Sequence, residues 1–366
     1  MARDMRRQLA AGQPFAASSP ISFDLPVTAV YKSINISLEY AMSTGVAGAA
    51  AIPFERAPWT NIKRIDLVAD GRDVIKSYDG GTLLDINHLD YGEYPPSQIV
   101  DLGASASNGT VTFPLWHNLQ IDLRLPRFVP DFNLKTGQFE GGENLTLLDA
   151  RKLSSLELRV TFGAGEADLY ATDTAPNTLD RYVVTPWGHE LLDISRDTSF
   201  PLNVESMTST AFPTTTATDR AFKHNVGNAY RRILISTVDA NARNPVNRIG
   251  TIILQENGTF NRRRWDAGNL AACMARLSIA EGLDPANPAT LARAIPRMLP
   301  VVETTQGKNG GNRRGLYLLD IAEDNRLGSL LDTRGFSALE TLLSWDGANT
   351  TDLIRFTTNV IVPNVR

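Results

Sequence analysis

Apolar and polar residues alternate along several short stretches of this chain, and the stretches fall into two series. In the first half, residues 30–40 carry Ile34, Ile36 and Leu38, residues 119–125 carry Leu119, Ile121, Leu123 and Leu125, and residues 156–162 carry Leu156, Leu158, Val160 and Phe162 at every second position. A period of two places each set on one face of a strand, so these are strands buried on one side. Residues 232–238, 316–321 and 354–362 answer them in the second half. Helical spacing is rarer. Residues 268–281 place Leu270, Cys273, Met274 and Leu277 one face apart with Gly282 as a stop, and Asn287-Pro288 suits the start of another short helix. The matching place in the first half, 82–89, predicts a shorter helix.

The two series belong to an internal repeat. Residues 62–83 align without a gap on residues 249–270, with seven identities in 22 positions: Ile62/Ile249, Ile65/Ile252, Leu67/Leu254, Gly71/Gly258, Asp79/Asp266, Gly81/Gly268 and Leu83/Leu270. Asp70/Asn257, Lys76/Arg263 and Tyr78/Trp265 are conservative pairs. Each copy reads strand, Asp-Gly or Asn-Gly, strand, then aromatic-Asp. Those dipeptides are strong hairpin signals, because both central positions of the turn need a positive φ, and Gly71 and Gly258 would supply one of the two. A repeat of half the chain predicts two similar domains, which the length of 366 residues also favours. Short strands punctuated by turns, with long excursions between them, predict an all-β architecture: two tandem eight-stranded antiparallel jelly rolls with short helical excursions.

Composition narrows the function. Hydrophobic residues make up 42% and charged residues 21%, ordinary values for a globular protein, and the net charge of −4 argues against a coat for nucleic acid. One cysteine, Cys273, excludes an internal disulfide. The longest apolar run, 46–52, is too short to span a bilayer. The N-terminus is basic at Arg3, Arg6 and Arg7 but lacks the apolar core of a signal peptide. On a helix Met1, Met5 and Leu9 would share one face and the arginines another. That suits an arm on a membrane or under a partner, and equally a frayed end.

No catalytic, cofactor or metal constellation stands out. His88, His117, His189 and His224 are far apart, and Cys273 has no second thiol near it. His117 follows Trp116 in an apolar stretch and reads as structural. Cys273 shares the apolar face of Leu270 and Leu277. The run Gly103-Ala-Ser-Ala-Ser lacks the last glycine of a nucleophile elbow, and the glycine-rich basic stretch 307–315 has its lysine misplaced for a phosphate loop. Arg262-Arg263-Arg264 reads as a solvated strand face or as an acidic partner's contact. Pairs such as Asp79/Asp85 and Glu323/Asp324 are ordinary in an acidic protein.

The run IKRIDLVADGRDVIKSYDGGTLLDI, with LPVTAVYKSINISLEY upstream and LSSLELRVTF downstream, resembles the N-terminal jelly roll of the double jelly-roll major capsid proteins, as found in tailless icosahedral phages with an internal membrane. The likeness covers residues 21–165 and reaches the second half through the repeat. With it, the chain divides into an N-terminal arm (1–20), a first jelly roll (21–165), a linker (166–181) and a second jelly roll (182–366). The resemblance implies a structural protein that is no enzyme. Three copies would form a capsomer of six barrels with a hexagonal outline, which would tile an icosahedral shell beside other virion proteins such as those at the vertices. It further implies assembly in the host cytoplasm, no sequence-specific nucleic acid, and an arm (Met1, Arg3, Met5, Arg6, Arg7, Leu9) facing an internal membrane or a neighbouring capsomer. A large interface of this kind would also take up exposed aromatics such as Trp59, Trp187 or Trp345. Two other readings stay open. A carbohydrate-binding β-sandwich would need an exposed aromatic platform, and a glycan-processing hydrolase on paired jelly rolls would need convergent carboxylates.

Overall fold

The computed structural model describes residues 3–44, 51–53, 56, 58–91, 115–125, 131–133, 138–140, 146–173, 177–195, 198–240, 246, 248–266, 315–322 and 329–362. Met1–Ser206 with Val362–Arg366 form one compact unit, and Met207–Ile361 form the other. The first contains β1 (Arg3–Gln8), β2 (Pro20–Asp24), β3 (Val30–Thr44), β4 (Ile62–Ala69), β5 (Asp73–Tyr78), α1 (Gly80–Tyr91), β6 (Leu115–Asp122), β7 (Leu156–Phe162) and β8 (Asn177–Leu192). The boundary falls within β9 (Leu202–Ala211). The second unit continues with β10 (Ala217–His224), β11 (Ala229–Val238), β12 (Ile249–Glu256), β13 (Phe260–Asp266), β14 (Leu316–Asp320), β15 (Leu339–Trp345) and β16 (Leu353–Val362).

Strand order identifies the fold. In the first unit β1–β8–β3–β6 form one sheet and β2–β7–β4–β5 the other; in the second the orders are β9–β16–β11–β14 and β10–β15–β12–β13. Counted from the start of each unit, both are 1-8-3-6 opposite 2-7-4-5, the winding of a jelly roll. The sheets of each roll meet through aromatic rings. Phe162 and Tyr182 are 5.7 Å apart in the first, and Phe222 and Phe356 are 5.0 Å apart in the second. The alternation read in the sequence is the burial pattern: Leu156, Leu158, Val160 and Phe162 are buried, as are Leu339, Thr341, Leu343 and Trp345. Each large apolar side chain so placed stabilises its roll by about 1.5–3 kcal/mol.

The hairpin turns are of one type. Asp70 and Gly71 have φ of 52° and 72°, Asn257 and Gly258 of 54° and 71°. Arg72 N–H donates to Ala69 O at 3.1 Å and Thr259 N–H to Glu256 O at 3.3 Å. Two positive φ values closed by such a bond make a type I′ turn. The first side chain of each turn is tied to the same place: Asp70 Oδ1 accepts from Ser154 N at 2.6 Å, and Asn257 Oδ1 accepts from Ser337 N at 2.8 Å. Nothing lies within 4 Å of a Cβ built on either glycine. Gly71→Ala and Gly258→Ala should therefore each cost only the left-handed backbone penalty, about 1–2 kcal/mol, measured by urea denaturation.

Ser154 and Ser337 belong to a second repeat that the sequence reading missed. Residues 147–160 and 330–343 share seven of 14 positions: Leu147/Leu330, Leu148/Leu331, Asp149/Asp332, Arg151/Arg334, Ser154/Ser337, Leu156/Leu339 and Glu157/Glu340. Leu148 pairs with Tyr31, and Leu331 with Tyr230. Both tyrosine hydroxyls donate to a carbonyl five residues upstream, that of Pro26 or Asn225. Arg151 Nε donates to Asp149 at 2.7 Å and Arg334 Nε to Asp332 at 2.9 Å, and this bond pulls the Asp332 carboxyl down to about 2. Residue spacing between equivalents falls from 199 at Tyr31/Tyr230 to 187 at Gly71/Gly258 and 183 at Asp149/Asp332. The strands are shared, and the loops differ in length.

Two expectations need correction. Residues 166–181 are not a linker, and the second roll does not begin at 182. Asn177–Leu192 is β8, paired along β3 from Asn177 opposite Thr44 to Leu191 opposite Val30. Before it, Glu166–Asp168 make a 3-10 turn and Tyr170–Asp173 a short strand paired with Ala51–Pro53. Asp168 accepts from Ala164 N at 2.6 Å and pairs with Lys63 at 2.8 Å. Nor are residues 3–20 a helical or frayed arm. Arg3–Gln8 is an extended strand with Met5 opposite Glu190, Gln13–Pro14 continues the pairing, and Pro20 begins β2. Backbone pairing to β8 offers hydrogen bonds that a short isolated helix in water could not keep.

Candidate assembly surface

A sheet that ends at an open edge can pair with another chain. On the outer edge of β6, one residue is met from within the first unit. Asn87, on α1, donates its amide to Gln120 O at 2.7 Å and accepts from Gln120 N at 2.7 Å, as a neighbouring strand would. Asp79 caps that helix by accepting from Thr82 N at 2.6 Å, and Asp85 forms a buried ion pair with Arg56 at 2.6 Å. The Asp79/Asp85 pair is thus structural. The β5 edge is closed by Glu205 and Ser206, which pair in parallel with Lys76 and Ser77. Lys76 is fully buried, 3.5 Å from Glu205 Oε2, and Tyr78 donates its hydroxyl to the same oxygen at 2.7 Å.

β13 differs from its equivalent β5. Six of its seven residues are exposed, and Phe260 at its start is 61% exposed. The arginine triad lies here. Arg262 pairs with Glu256 at 2.5 Å on the same hairpin, and Arg263 and Arg264 are exposed on the strand.

The predicted N-terminal residues form the opposite edge of the first roll. Met1 lies outside the described residues. Arg3 pairs with Asp193 at 2.6 Å, Asp4 with Lys32 at 2.9 Å, and Arg7 with the fully buried Glu190 at 3.0 Å. Burial and the Glu190 charge raise the Tyr31 hydroxyl pKa above its ordinary value. Met5 is half-buried, and Leu9 packs on Gly188 so closely that a Cβ there would lie 2.6 Å from it. Arg6 is exposed and lines a trough of about 560 Å³ on the outer face of the 1-8-3-6 sheet, together with Gln8, Asn35, Gln120, Thr185 and Trp187. Trp187 is 41% exposed, whereas Trp59 and Trp345 are core residues.

Among the described residues the histidines form no cluster. His88 is on α1 and His117 is buried on β6, edge-on to Tyr40 and Trp59. His189 lies 3.6 Å from Asp4, its pKa lowered chiefly by burial and then by Lys32. His224 Nε2 is 2.7 Å from Thr341 Oγ1, and burial pushes its pKa down from 6.5 to about 4. The unfolded chain takes up that proton first. Stability from His224 is therefore complete above pH 6.5 and is lost as pH falls toward 4, by up to about 3 kcal/mol. A melting profile from pH 7 to 4 should show this loss in the wild type and a flatter profile in His224→Gln. Cys273, residues 103–107, 268–281 and 307–314, and the Glu323/Asp324 pair lie outside the described residues. Among the described residues no group of three or more His, Cys, Asp or Glu could hold a metal.

No protein-family model and no curated protein matches the chain by sequence. Solved structures do match by fold. The major capsid protein of STIV aligns at TM-score 0.65 and 12% identity over 99% of this chain and 97% of its own. A chain from the atomic structure of Sulfolobus Turreted Icosahedral Virus gives 0.64 and 12% over 98% and 91%. The major capsid protein P2 from bacteriophage PM2 gives 0.53 and 11% over 100% and 99%. At these identities the likeness is one of fold, and it runs the length of both chains: this protein has the double jelly-roll architecture of viral major capsid proteins.

Proposed function

We propose that the chain is the major coat protein of an icosahedral virus and acts as a building block, not as an enzyme. The observation that carries this reading is the identical 1-8-3-6 and 2-7-4-5 winding of both rolls in one chain, matched end to end by capsid proteins. Duplication supports it physically. One chain presents two copies of a tiling unit whose loops can differ, as the drifting repeat spacing shows they do. Three copies would give a block of six rolls with a hexagonal outline, which takes its place in the virion shell beside vertex proteins.

Contact with an internal membrane, through Arg3, Met5, Arg6, Arg7 and Leu9, is a narrower part of the reading. Arg3 and Arg7 are engaged by Asp193 and Glu190, which leaves Arg6 as the most available cation, and one exposed arginine contributes only about 1 kcal/mol at an anionic surface. Any attachment would need many copies acting together.

The test is assembly of the purified full chain. Light scattering should give three times the 40.0 kDa chain mass, and electron microscopy should show hexagonal particles. A monodisperse monomer across protein concentration and salt would overturn the coat-protein reading. Flotation of the assembled particles with anionic and neutral vesicles separates membrane contact from assembly.

A further inference from the structure

The trough on the outer face of the first roll's 1-8-3-6 sheet is floored by two rungs of paired residues. Trp187 on β8 faces Asn35 on β3, and in the next rung Thr185 on β8 faces Ser37, which faces Asn118 on β6. These side chains alternate along their strands with core residues, Ile34, Ile36 and Leu38 on β3 and Leu119 and Ile121 on β6. Neighbouring strands stand about 4.8 Å apart and successive rungs on one face about 7 Å, so the floor suits one or two six-membered rings. Arg6 on β1 stands at the side, opposite His189 and two residues along β8 from Trp187.

The lining has a definite chemistry. Asn35, Ser37, Asn118 and Thr185 make no side-chain hydrogen bond with the described residues, and each can both donate and accept. Trp187 offers an indole face that is 41% exposed. Arg6 is the one charged residue of the lining. The carboxylates around β1 are taken by other cations: Asp4 by Lys32, Glu190 by Arg7 and Asp193 by Arg3. The charge of Arg6 is left to an outside anion.

We propose that this trough binds an acidic saccharide. One sugar ring stacks on Trp187, its carboxylate meets Arg6, and its hydroxyls exchange hydrogen bonds with the amides and hydroxyls of the two rungs. A volume of about 560 Å³ lies within the range of small-molecule sites. The chemistry disfavours other occupants. An apolar ligand would strip water from four polar side chains and return no hydrogen bond, and a phosphate dianion would meet a single cation. The site goes beyond the coat-protein reading and adds a ligand to the building block.

The experiment is isothermal titration of the full chain with digalacturonate and with galactobiose, the same disaccharide with hydroxymethyl groups in place of its carboxylates. Digalacturonate should bind the more tightly. Arg6→Gln should weaken it about tenfold and barely move galactobiose. Trp187→Ala, checked for folding by circular dichroism, should weaken both about tenfold, and Trp187→Phe should restore part of the loss. Assembled particles should bind as the separate chain does. No binding, equal binding of the two disaccharides, or indifference to both substitutions overturns the proposal. Tighter binding of adenosine monophosphate also overturns it and makes the trough a nucleotide site. Loss of binding on assembly overturns it in favour of a contact between copies. None of these outcomes touches the coat-protein reading, which is decided by the assembly measurement.

Discussion

Glu205→Ala should destabilise the first unit by about 3–5 kcal/mol, the usual result of removing one partner of a buried ion pair. Lys76 is fully buried and Glu205 is 4% exposed, so water cannot replace the lost carboxylate. Tyr78 loses the acceptor 2.7 Å from its hydroxyl in the same step. The pair itself stabilises far less than its removal costs, because bringing both charges out of water offsets most of their attraction. Lys76→Met combined with Glu205→Leu should accordingly recover most of the loss. Urea midpoints of the wild type, the single variant and the double variant decide the matter. Equal losses in single and double variants would mean that Glu205 acts by packing and not by charge.

Phe162→Ala and Trp345→Ala should each remove about 3–5 kcal/mol, but from different units. The two residues end strand seven of their rolls, at 1% and 3% exposure. Phe162 is 5.3 Å from Phe15, and Trp345 is 5.2 Å from Phe212. With two compact units, scanning calorimetry should show two transitions. Each substitution should lower one of them by roughly 10 °C and leave the other nearly in place. If either variant lowers both transitions equally, the rolls unfold as one body and the division at Ser206/Met207 has no thermodynamic meaning.

How much of this was legible in the sequence depends on the range of the forces involved. The hairpins were legible because Asp70-Gly71 and Asn257-Gly258 settle their turns within four residues. The alternating strands were legible because burial on one face writes itself into every second residue. The end of the first roll was not. β8 belongs there because it pairs with β3 more than a hundred residues earlier, and the composition of 163–180 gives no hint of that partner. The N-terminal strand was missed for a related reason: Arg3–Gln8 has no apolar face, and its place is set by Asp193, Glu190 and Lys32 from distant strands. The repeat at 147–160 and 330–343 was visible as identities but carried no meaning until Leu-Asp-x-Arg was seen beside the buried tyrosine in both rolls. The exposure of β13 could not be read at all, since only the contrast with the covered β5 reveals it.

The side chain of Asn87 lies along the edge of β6. A monomer with two reactive ends makes chains or rings, whereas one with three or more makes a branched network that gels. Each open strand edge is such an end. By satisfying both the N–H and the carbonyl of Gln120 from within its own fold, Asn87 lowers the valence of the subunit and keeps its growth from branching at that place.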